Sequence, residues 1–179
     1  MKMEFFMKFK TLIALILIPL LYINYALAVS NTVEDENFKY SNEKKTASAQ
    51  KEVFNTIIKY QNALNSADTK EILSLFSEES YSQWNDKLTA DTTEKRKEQY
   101  DSLFKKEKFK TNFAFDTIWI NGDTAVVRTH HHKGTVVTDV VNNKKLLDFN
   151  REVFVLKKES GRWSIFLYTF NTNPLQGVS

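Results

Sequence analysis

His130, His131 and His132 stand in a row and are the chain's three histidines. On an extended strand His130 and His132 share one face and His131 takes the other. Two histidines at this spacing hold zinc only with a third or fourth ligand. With no other histidine and no cysteine, carboxylates would have to serve. No metal and no cofactor is expected, and the bland reading is solvated strand residues. Strand parity gives His131 a sharper reading. If Ala125 and Val127 face the interior, Thr129 and His131 do too. An ionisable ring then sits where it can act on a ligand. By the same parity Leu167 and Thr169 of the last strand face inward, and neither ionises. The lysines at 105, 106, 108 and 110, interrupted by Glu107, read as a solvated helix end. The absence of cysteine excludes thiol catalysis and disulfides.

The elements that must position these groups follow from periodicity. Val53, Ile57, Tyr60 and Leu64 recur at helical spacing, which predicts an amphipathic helix ending near Ser66. Asp68 and Glu71 read as a capping box for a short second helix that buries Ile72, Leu73, Leu75 and Phe76. Ser80–Trp84 reads as a short extended piece. Asp91-Thr92-Thr93-Glu94 opens a charged helix marked by Tyr100, Leu103 and Phe104. Strands follow Lys108. Asn121-Gly122 is a strong hairpin signal, because both positions tolerate positive φ. A return strand runs from Thr124 to about Thr138, and Asn142-Asn143 marks a turn. Leu146–Lys158 and Arg162–Asn171 form a second hairpin around Glu159-Ser160-Gly161. Segregated helices and an antiparallel sheet make an α+β domain. A long sheet curling round its helices leaves a pocket between them. If Ala114 and Ile118 face in, Phe113, Phe115 and Trp119 form an aromatic row on the outer face. Such a row is hard to leave wet. It reads as a homodimer interface or as a face covered by the leader.

The ends of the chain have their own logic. Lys2, Lys8 and Lys10 precede an uncharged run from Thr11 to Ile23, and Ala26-Leu27-Ala28 follows. This is the pattern of a cleaved secretory signal over residues 1–28; an uncleaved anchor is the alternative. Residues 29–45 read as a flexible leader, 46–173 as the domain and 174–179 as a tail. The expected location is periplasmic or secreted, with no stable membrane anchor after cleavage. The full chain carries 25 basic and 22 acidic side chains. Losing three Lys and one Glu with the signal leaves it near neutral. That gives no reason to expect a nucleic-acid partner.

Ile57–Phe76, IIKYQNALNSADTKEILSLF, resembles the opening helices of SnoaL-like domains in the nuclear transport factor 2-like superfamily. Ile120–Val127 resembles that family's central hairpin and Val153–Ile165 its final one. The resemblance spans roughly residues 50–171. It implies a cone of about three helices wrapped by a curved antiparallel sheet. The family includes isomerases, dehydratases, binders and scaffolds, so fold alone does not give function. Carried over from the ketosteroid isomerase template, the donor tyrosine falls on Tyr60, the acid on Glu152 and the general base on Trp84. An indole has no lone pair to take a proton. The resemblance therefore implies a weak isomerase or none, with Asp86, two residues on, as the alternative base if the strand continues. A core tyrosine is the plain alternative for Tyr60.

These readings converge on an apolar cavity walled by Tyr60, Trp84 and Phe104, with His131 and Glu152 as its polar groups. Glu152 and Phe154 share a strand face, and a buried Glu152 needs Tyr60 or His131 as partner. The favoured function is an exported protein binding a small apolar molecule. The alternatives are an isomerase or lyase using Tyr60, His131 and Glu152, and a periplasmic scaffold.

Overall fold

The computed structural model describes residues 38–85, 87–131 and 135–171. The expected signal peptide, most of the leader, Asp86, His132 and the tail lie outside them. Among the described residues the order is α1 (Lys44–Ser66), α2 (Thr69–Ser74), β1 (Phe76–Gln83), α3 (Thr93–Phe104), β2 (Glu107–Lys110), β3 (Phe113–Asn121), β4 (Thr124–His131), β5 (Thr135–Asp139), β6 (Lys144–Asp148), β7 (Arg151–Glu159) and β8 (Arg162–Asn171).

The helices form where apolar spacing and caps coincide. On α1, Val53, Ile57, Tyr60 and Leu64 are buried, and Glu43 caps its start by accepting from the Lys45 and Thr46 amides. Ala67 ends it in the left-handed conformation, φ 56°, with its amide and that of Asp68 turned back to the Leu64 and Ala63 carbonyls. Asp68 caps α2 by accepting from the Glu71 amide at 2.9 Å. Thr92 caps α3 by accepting from the Lys95 amide at 3.2 Å. Of the expected leader, the described end is packed: Phe38 lies against the core, its ring 6.4 Å from that of Phe115.

The strands make two sheets. The larger has the order β1-β8-β7-β4-β3, and the smaller β2-β5-β6. The larger sheet is curved, unclosed and mixed, because β1 runs parallel to β8. This corrects the expectation of a purely antiparallel sheet. The two long strands expected over 124–138 and 146–158 are each broken. Their distal pieces, β5 and β6, join β2 in the second sheet instead. The second break has a visible cause. Asp148 accepts from the Asn150 amide at 2.9 Å and the Asn150 side chain at 2.7 Å, an Asx turn that competes with the ladder. Gly122, φ 57°, and Ser160 and Gly161, φ 50° and 80°, make the two expected hairpin turns.

α1 packs across the larger sheet, and side-chain amides fasten it there. Gln50 donates to the Ile118 carbonyl at 2.8 Å, and Gln61 accepts from the Phe113 amide at 2.7 Å. Asn65 both donates to and accepts from the Thr111 backbone.

Two single-residue bulges decide which side chains face α1. Asp116 is an extra residue between the pairs Phe115–Thr129 and Thr117–Arg128. Because parity flips there, Phe113 and Phe115 point inward together with Ile118, and all three are buried. The expected outer aromatic row is therefore corrected: of its three members, Trp119 alone is exposed. Phe166 is the second extra residue, between the pairs Val155–Leu167 and Leu156–Ile165. It turns Tyr168 and Phe170 inward and puts Leu167 and Thr169 on the outer face, the reverse of the expected parity.

Candidate functional site

A cavity of about 290 Å³ opens between α1, α3, the end of β1 and the far ends of both sheets. It is largely aromatic. Tyr60 of α1 and Tyr100 of α3 join hydroxyls at 2.7 Å. Trp84, just past β1, sets its ring edge-on to Tyr100 with centroids 4.9 Å apart. Tyr168 and Phe170 contribute from β8, Phe109 from β2 and Leu103 from α3. Burial pushes the phenols of Tyr60, Tyr100 and Tyr168 well above 10, so they stay neutral and serve as donors rather than bases.

His131 and Glu152 form the polar post of this cavity. Thr129 and His131 face inward as parity requires, and Glu152 lies directly opposite Thr129 on β7. The His131 and Glu152 side chains are 5% and 2% exposed. His131 Nδ1 lies 3.1 Å from the Asp148 carbonyl, which can only accept, so Nδ1 carries a proton. Nε2 meets Glu152 Oε1 in a short contact, and Thr129 Oγ1 donates to Oε2 at 2.8 Å. One proton is thus shared between Nε2 and the carboxylate. Burial lowers the basicity of His131, but the hydrogen bond and charge of Glu152 and the charge of Asp148 outweigh it, and its pKa lies above 6.5. Both ring nitrogens are engaged, and each carboxylate oxygen takes one hydrogen-bond partner.

Four of the five residues expected around the cavity, Tyr60, Trp84, His131 and Glu152, do line it. Phe104 does not. It packs behind the wall, tilted against Tyr100 at 5.8 Å and edge-on to Phe109 at 6.3 Å, because Leu103 takes the inward position on α3. Much of the remaining lining, Asp148 and Asn150 included, carries no signal in the sequence. Tyr168 and Phe170 were hidden by the bulge at Phe166. Glu107 and Phe109 sit in a lysine-rich run that reads as helix end but folds as β2. The loop carrying Trp84 is held by a residue with no sequence signal. Arg96, 1% exposed in a charged stretch of α3, donates to Ser82 Oγ at 3.0 Å and to the Ser80 carbonyl at 2.8 Å, and lies 4.2 Å from the Phe76 ring.

No protein-family model matches the chain, and no curated protein matches it in sequence. Its shape, however, is shared with many solved structures. A ketosteroid isomerase-like protein from Erwinia carotovora atroseptica superposes with a TM-score of 0.63 at 20% identity, over 69% of this chain and 95% of that one. The chain has the nuclear transport factor 2-like fold. A candidate dehydratase of the nuclear transport factor 2-like family from Streptomyces avermitilis gives 0.60 at 11% identity, over 71% and 97% of the two chains. A protein of unknown function from Mycobacterium tuberculosis gives 0.64 at 15% identity, over 76% and 78%. Identities this low speak for the fold alone. On this nuclear transport factor 2-like frame the cavity occupies the space between helices and curved sheet.

Proposed function

We propose that the protein is an exported binder of a small, ring-bearing, mostly apolar molecule, with little or no catalysis. The observation that carries this is the aromatic cavity built around the hydrogen-bonded His131–Glu152 pair. At about 290 Å³ it suits one or two rings, near the low end of the ~300–1,000 Å³ range of ligand sites. Trp84, at the position the template gives to the base, supports a site without proton abstraction. The sequence of residues 1–28 supports export. Naphthol binding, followed by quenching of tryptophan fluorescence, tests the pocket. Leu103→Trp puts an indole into the cavity and should weaken naphthol at least about tenfold, the loss expected when about 1.4 kcal/mol of contact is displaced. Equal affinity in the filled variant would sink the reading.

We further propose a homodimer through the outer face of the larger sheet, on different residues from the expected row. The register places Trp119, Val126, Val155 and Leu167 side by side across four strands. Trp119 is 53% exposed, and the other three are partly covered. Trp119→Glu should convert a dimer seen by light scattering at tens of micromolar into a monomer, because it puts a charge into an apolar contact. A wild-type monomer at that concentration would overturn the proposal.

A further inference from the structure

The cavity is aromatic on the side of α3 and β8 and acidic on the side of the smaller sheet. Its register pairs Glu107 with Asp139, Phe109 with Val137, and Thr135 with Asp148. Glu107, Phe109 and Asp148 therefore share one face of that sheet, and all three line the cavity. The Glu107 side chain makes no hydrogen bond or ion pair with a described residue. Among the described residues the Asp148 carboxylate accepts only from Asn150, inside its own turn. Asn150 adds a third acceptor. Its side-chain nitrogen is committed to Asp148, so its buried Oδ1 is an acceptor by exclusion, and it has no partner among the described residues.

Lys144 shares this face, opposite Asp139, but is exposed and outside the cavity lining. His131 is committed to Glu152. Lys87 is exposed at the mouth, and Lys106 lies beyond the rim in a second, outer hollow that also touches Glu107. Burial first, then the like charges of Asp139 and Asp148, push the Glu107 carboxyl above its ordinary range, and Lys106 and Lys87 only partly offset this. Burial likewise raises Asp148, and His131 partly offsets it. The described histidines and carboxylates do not cluster closely enough to hold a metal ion. Among the described residues, the indole N–H of Trp84 is the one buried donor left unpartnered on the wall.

We propose that the ligand carries a protonated amine, seated against Glu107, Asp148 and Asn150 with its ring among Trp84, Tyr100 and Phe170. This rests on the pocket reading above. An ammonium supplies three N–H donors to the Glu107, Asp148 and Asn150 acceptors. It relieves the repulsion between half-buried carboxylates, and the aromatic faces attract it through their quadrupoles. A carboxylate ligand would add a fourth negative charge beside Glu107, Asp148 and Glu152.

The test compares three probes of one shape: phenethylamine, phenethyl alcohol and phenylacetate, titrated calorimetrically into the purified protein at neutral pH. The amine should bind about tenfold more tightly than the alcohol, a gain of about 1.4 kcal/mol, and phenylacetate should bind worst. Glu107→Gln should shrink the ratio of amine to alcohol affinity severalfold; a melting curve checks that the variant is folded. The ranking in the wild type stands without any variant. The charge proposal is overturned if the alcohol or phenylacetate matches the amine, or if Glu107→Gln leaves the ratio of amine to alcohol intact. If none of the three binds at millimolar concentration, the pocket reading itself falls and this proposal with it.

Discussion

Glu152→Ala should destabilise the protein by about 3–5 kcal/mol in a denaturant titration, the cost of leaving one half of a buried ion pair alone. The carboxylate is 2% exposed and satisfies His131 Nε2 and the Thr129 hydroxyl. Its removal strands two polar groups beside Phe113 and Phe154, where water has little access. The double variant Glu152→Leu with His131→Leu removes both charges and should recover most of the loss, since apolar replacement of a buried pair is often neutral. If the single variant costs less than about 1 kcal/mol, the pair is solvated and the polar post is misread. The pair also sets a pH dependence. His131 gains proton affinity on folding, so its stabilisation is fully present below its ordinary value of 6.5. It is lost as pH rises through the higher folded-state value. The melting temperature of the wild type should therefore fall from mildly acid to alkaline pH, and Glu152→Gln should flatten that slope.

Arg96→Ala should cost about 3 kcal/mol or more, because hydrogen bonds to a charged group contribute about 1.5–3 kcal/mol each. By the usual scaling that is a drop of roughly 6–12 °C in melting temperature for a domain of this size. Arg96 holds the Ser80 carbonyl and the Ser82 hydroxyl. Ser82 in turn bridges to Ala90 and closes the loop that carries Trp84. The variant should therefore also loosen Trp84, seen as a red shift in tryptophan emission. An unshifted spectrum and a melting point within about 2 °C of wild type, less than 1 kcal/mol by the same scaling, would show that the guanidinium does not anchor the loop.

Much of the frame was legible from local rules. The α1 face, the caps at Asp68 and Thr92, and the turns at Gly122 and Ser160-Gly161 each depend on residues close in sequence. Parity carried from Ala125 and Val127 placed His131 inward, and the shared face of Glu152 and Phe154 followed from the same alternation. These inferences hold because β4 and the relevant stretch of β7 pair without a slip.

What failed, failed at register. One extra residue at Asp116 took Phe113 and Phe115 from the outer face into the core, and one at Phe166 brought Tyr168 and Phe170 into the cavity. A bulge is chosen by how two distant strands and their packing accommodate each other, and neither site carries a glycine to announce it. The split of the long strands into a second sheet is equally non-local, and it alone brings Glu107 and Asp148 onto one face. Arg96 is the same lesson on a helix. Its neighbours Lys95 and Lys97 pair with Asp91 and Asp101 at the surface, while its own position turns it beneath β1. The sequence by itself determined the helices, the turns and the inward histidine, because each follows from short-range periodicity and capping. Tertiary structure alone decided the acidic wall, the aromatic lining from β8 and the buried arginine, because strand register and helix orientation are settled by contacts between residues far apart in the chain.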